Sequence, residues 1–116
     1  MDFVLSPTEE KAISAALPLI PYADFGTSEE QIQLNTTIAV AVASKFRYGN
    51  KVFMPDEIRI IYAAADLALS VLTQKIDLDI DDELRTELSR NYFCYCSLVP
   101  KMQKIVRELQ HQLPLH

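Results

Sequence analysis

Residues 58–76 carry aliphatic side chains on two opposite faces of one helix. Advancing about 100° per residue, Ile58, Ile61, Tyr62, Ala65, Leu69, Leu72 and Ile76 fall on one stripe. Ile60, Ala64, Leu67 and Val71 fall on a second, nearly opposite. Arg59, Asp66, Ser70 and Thr73 fill the arc between them. A helix on a protein surface needs a single apolar stripe. This one needs cover over more than half its circumference, from the rest of the chain or from another chain.

The segment before it is also rich in apolar side chains. No charge occurs between Gln31 and Ser44, and Ile32, Leu34, Ile38, Val40, Val42 and Phe46 point in many directions around a helix. Ala39, Ala41 and Ala43 lack bulk and permit a neighbouring helix to come close.

Punctuation divides the chain into five helical segments. Ser6, Pro7 and Glu9 form an N-cap, a first-turn proline and a capping box, which predict a helix over 7–17. Pro18 and Pro21 end it, because proline lacks the N–H and clashes with the preceding turn. Residues 19–26 read as loop. Thr27 or Ser28 caps a second helix that runs to about Tyr48, with Glu29 and Glu30 at its positive end, Lys45 and Arg47 at its negative end, and Gly49-Asn50 as its stop. Lys51–Met54 is an extended link. Pro55, Asp56 and Glu57 open the third helix, which the apolar pattern carries to about Ile76. A fourth helix is expected from about Asp81 to Val99. Pro100 then breaks the chain or kinks it into a fifth over 101–112, and Pro114 ends the pattern. Tyr92 and Tyr95 fall on the core stripe of the fourth, and Met102, Ile105, Val106, Leu109 and Leu113 on that of the fifth.

No strand alternation persists, and two glycines in 116 residues are too few for the hairpins of a β-sandwich or barrel. The expected architecture is all-α: one domain over 1–116, a compact bundle of about five helices with a central apolar hairpin of the second and third.

Charge and cysteine content remove several function classes. A formal net charge of −5 lacks the field that draws in polyphosphate, which disfavours sequence-independent nucleic-acid binding. Cys94 and Cys96 are one residue apart, too close for an unstrained disulfide, and read as reduced intracellular thiols. The first residues have no basic start or long apolar run, and no stretch approaches the ~18 apolar residues of a spanning helix. A cytoplasmic protein without a membrane segment is expected.

Apparent site motifs fail on their details. From Asp77, the sixth and twelfth positions of a calcium loop would be Asp82 and Leu88, where glycine and a bidentate glutamate are needed. Asp77–Asp81 therefore reads as a solvated connector. Glu108 and His111 have the spacing of half a di-metal motif, but a second copy is missing. Both histidines, His111 and His116, lie near the end of the sequence, which gives a histidine-based catalytic relay little to draw on. Asp66 sits mid-helix and must face water or find a partner. No catalytic, cofactor or metal residue is assigned.

These readings point to a non-enzymatic protein acting through protein–protein contacts in a regulatory or adaptor role, as a homodimer. Its expected interface is the second stripe of the third helix, Ile60, Ala64, Leu67 and Val71, joined by Phe93. A nucleic-acid-associated regulator is the alternative, using Lys45, Arg47 and Lys51 with Lys101, Lys104 and Arg107. A ligand-binding or minor enzymatic bundle would need a polar pocket joining Asp66, Arg59 or the tyrosines.

Overall fold

The computed structural model describes residues 3–22 and 28–112. Five α-helices and one 3-10 turn follow in order, and no strand occurs among the described residues. The expectations placed on Gly26, Thr27, Leu113, Pro114 and His116 fall outside those residues, as does the side chain of His111.

α1 (Pro7–Ala16) starts as its capping pattern requires. The Glu9 N–H donates to Ser6 Oγ at 3.1 Å, and the Ser6 N–H donates to Glu9 Oε1 at 2.8 Å. Pro18 and Pro21 do not open a loop at once. Leu17–Tyr22 tightens into a 3-10 turn that buries Leu17, Leu19 and Ile20. A proline early in such a turn forfeits an N–H that has no partner there.

α2 (Glu29–Arg47) is capped by Ser28, whose Oγ accepts from the Gln31 N–H at 3.2 Å. Its end is a Schellman motif, with Asn50 N–H donating to Lys45 O at 2.9 Å across Gly49, which sits at φ 72°.

α3 (Pro55–Leu72) stops four residues before Ile76. The same end geometry recurs there, with Lys75 N–H donating to Ser70 O at 2.9 Å. The left-handed position is held by Gln74 at φ 62°. Apolar periodicity runs on past this cap, which is why the sequence overextends the helix.

The fourth and fifth segments divide at a different residue from the one expected. α4 (Asp82–Arg90) is short, and α5 (Tyr92–Gln112) begins at once and continues through Pro100. The break is made by buried Asn91, whose Nδ2 donates to the Glu87 carbonyl at 2.9 Å and whose N–H donates to Leu88 O at 3.0 Å. An asparagine that bonds the preceding turn competes with helix continuation. Pro100 is exposed, on the side where water can reach the carbonyl it leaves unpaired.

That early break lets α5 fold along α3 and bury Tyr95, Leu98, Met102 and Leu109 against it. α3 is the central element and packs on α1, the 3-10 turn, α2, α4 and α5. Its second stripe is therefore closed. Ile60, Ala64, Leu67 and Val71 are buried inside this chain, which corrects the expectation that they form an open interface. α2 does pack beside α3, but it lies at the edge of the bundle. Among the described residues, no helix is long and apolar enough to cross a membrane.

Candidate interaction surface

The apolar surplus expected of α3 is internal, while that of α2 is not. Of its nineteen residues only Ala39 and Val42 are buried. Ile32, Ile38, Ala43 and Phe46 are half-buried, whereas Leu34 is 52% exposed and Val40 is 65% exposed. Two threonines of the helix satisfy their hydroxyls within it. Thr36 and Thr37 donate their hydroxyls to the carbonyls of Ile32 and Gln33 at 2.8 and 3.0 Å.

Small side chains hollow out the flank of α2. Between it and the 3-10 turn lies an apolar cavity of about 230 Å³, whose walls include Leu17, Pro18, Pro21, Ala39, Val40 and Ala43. A second hollow bounded by Glu10, Lys11 and Arg47 adjoins the first along the α1–α2 seam, with Ser14 and Ala43 in the walls of both. Exposed Val40 stands in the wall of the first.

The C-terminal end of α2 is fastened by an ion pair. Lys45 Nζ lies 2.5 Å from Glu57 Oε1, donates to the Val52 carbonyl at 2.8 Å and sits 5.6 Å from the centre of the Phe53 ring. Glu57 is buried, and it also accepts the Met54 N–H at 2.7 Å. Phe53 makes edge contacts with Phe3 and Phe46 at 5.7 and 5.6 Å.

The basic residues considered for nucleic acid are accordingly not a free set. Lys45 is bound to Glu57, Lys51 to Glu10, and Lys101 to Glu9 at 3.1 Å. Arg47, Lys104 and Arg107 are exposed and make no ion pair among the described residues. Half the charge of the candidate patch is thus neutralised by carboxylates of the same chain, which weakens attraction for phosphate.

Phe93 is 84% exposed at the start of α5, with its ring 5.4 Å from that of Tyr92. It stands apart from the four α3 residues it was expected to join, since those are buried. Asp66 is exposed. Cys94 is half-buried and Cys96 exposed. Burial pushes the Cys94 thiol above its ordinary value, and nearby Glu9 adds to this while Lys101 opposes it. A thiol so placed is a poor nucleophile near neutral pH. No three histidine, cysteine or acidic side chains converge as a metal-binding group among the described residues.

Val40 and Leu34 were not singled out from the sequence. The available signal was the charge-free run 31–44, but its apolar residues circle the helix and do not say which side faces water. Comparison with protein-family models, curated proteins and solved structures returned no match, so the functional reading rests on geometry alone.

Proposed function

We propose that this protein is a non-enzymatic interaction protein that meets another polypeptide through the open side of α2. One observation carries the reading. A helix of nineteen residues buries two of them and leaves Val40 exposed on the wall of an apolar trough, with Leu34 exposed elsewhere on the same helix. Covering a large aliphatic side chain is worth about 1.5–3 kcal/mol, and an exposed apolar side chain on the wall of an apolar groove suits a contact surface. The small side chains around the trough favour a helix as the incoming element, because they permit close approach of its backbone.

The test is a photo-crosslinking amino acid placed at position 40, with one at exposed Thr86 on α4 as control. The reading predicts an adduct from position 40 and none from position 86. It also predicts that the captured chain, once purified, binds the wild-type protein but not Val40→Glu. Equal labelling from both positions, or binding indifferent to Val40→Glu, contradicts it.

A further inference from the structure

The exposed seam of α2 has an internal symmetry. Glu30, Gln33, Thr37, Val40, Ser44 and Arg47 follow one another at spacings of three and four residues, and all six are exposed. This is the spacing of a coiled-coil seam. The seam reads complementarily in reverse. If a second α2 lies antiparallel with its centre opposite the midpoint between Ile38 and Ala39, Glu30 meets the partner's Arg47. Gln33 then meets the partner's Ser44, and Thr37 meets the partner's Val40. Each layer joins groups that suit one another: opposite charges at the ends, amide with hydroxyl inside them, and two β-branched side chains at the centre. Thr37 already spends its hydroxyl on the Gln33 carbonyl, which leaves its methyl for Val40.

We infer that the partner of this surface is a second copy of the chain, docked by an antiparallel, two-fold symmetric pairing of α2. The inference rests on the interaction role proposed above and names its occupant. Self-complementary surfaces of this kind are what a two-fold dimer requires. Orientation follows from charge. A parallel pair would set Glu30 against Glu30 and Arg47 against Arg47, whereas the antiparallel pair makes both end contacts attractive. The helix dipole accounts for acid at the start of α2 and base at its end. It does not account for an exposed valine near the centre of the seam, in which no charged residue lies between Glu30 and Arg47. The antiparallel pairing covers Val40, and it brings Leu34 and Ala41 of both copies together along one edge of the seam.

A charge exchange tests this. A Glu30→Lys chain places two repulsive end contacts in its own dimer, and so does an Arg47→Glu chain. Mixed together, the two chains form a heterodimer whose end contacts are both attractive. Native mass spectrometry and sedimentation are expected to show each variant associating roughly tenfold more weakly than wild type. The equimolar mixture is expected to recover association as the heterodimer. Unchanged helical circular dichroism confirms that each variant is folded, and Glu30→Gln with Arg47→Gln supplies a milder pair if either is not. A mixture no stronger than its components overturns the pairing, as does a wild-type chain that stays monomeric at millimolar concentration. If position 40 still crosslinks to a different protein, self-pairing falls and the interaction role stands. If it crosslinks to nothing, both fall.

Discussion

The hydroxyl of Tyr95 donates a 2.7 Å hydrogen bond to the backbone carbonyl of Ala12, joining α5 to α1 in the buried interior. The bond spans 83 residues of sequence and fixes the height at which α5 crosses α1. Burial raises the phenol above its ordinary value of 10.0, with Cys94 and Glu87 adding to the shift.

Two substitutions separate the hydroxyl from the ring. Tyr95→Phe removes one hydrogen bond and leaves the Ala12 carbonyl with its helical partner, so the cost is about 0.5–1.5 kcal/mol. Tyr95→Ala also empties the space of the ring and costs about 3–5 kcal/mol. Because the folded-state value is raised, the stabilisation is fully present below pH 10.0 and is lost as pH rises towards the folded-state value. Urea unfolding at pH 7 and again above pH 10 checks both points. Tyr95→Phe should lose less stability in alkali than wild type does.

Glu57 closes two structures at once, the start of α3 and the Lys45 pair. Glu57→Ala strands an ammonium that is only 23% exposed. Breaking a fully buried pair costs about 3–5 kcal/mol, and the remaining solvent access of Lys45 reduces this to roughly 2–3 kcal/mol. The double variant Glu57→Ala/Lys45→Met should recover part of the loss in chemical denaturation, since no charge is then left without its partner.

Glu9 governs part of the acid limb. Burial raises its carboxyl, but the Ser6 N–H and Lys101 outweigh that and hold it below 4.5. A lowered folded-state value contributes stability that is present above pH 4.5 and is lost as pH falls through the lowered value. Glu9→Gln keeps a capping-box residue and removes the charge. It should cost about 0.5–1 kcal/mol at pH 7 and almost nothing at pH 2. Thermal melts across that range measure the difference.

Gln74 and Gly49 occupy equivalent left-handed positions at the ends of α3 and α2. Only Gly49 has the residue type that adopts this conformation without strain. Gln74→Gly should stabilise the fold by roughly 0.5–1 kcal/mol, and Gly49→Ala should destabilise it by about 1 kcal/mol although space around it is open. Melting temperatures moving in opposite directions are the expected result.

The caps of α1 and α2 were readable because a serine side chain there acts on a backbone N–H three residues away, whereas Asp81, which does the same for α4, was read only as the end of a solvated connector. The centrality of α3 was readable from its two stripes. What covers those stripes was not. That depended on Asn91, a polar residue whose capping role requires knowing that it is buried and that it reaches Glu87. Pro100 gave the stronger local signal, but it sits on the exposed side of α5, where a helix accommodates it. The neutralisation of Lys45, Lys51 and Lys101 was equally hidden, because their carboxylates lie 12, 41 and 92 residues away. The open side of α2 was the hardest to see, since exposure is set by what the rest of the chain leaves uncovered.

Sedimentation equilibrium of the wild-type chain beside Val40→Glu bears most directly on the claim that this open side is where the protein meets another polypeptide. The wild-type mass is expected to climb from 13.2 kDa toward twice that value as concentration rises. The Val40→Glu mass is expected to stay at 13.2 kDa with unchanged helical content. A dimer that forms equally well with glutamate at position 40 would contradict that claim.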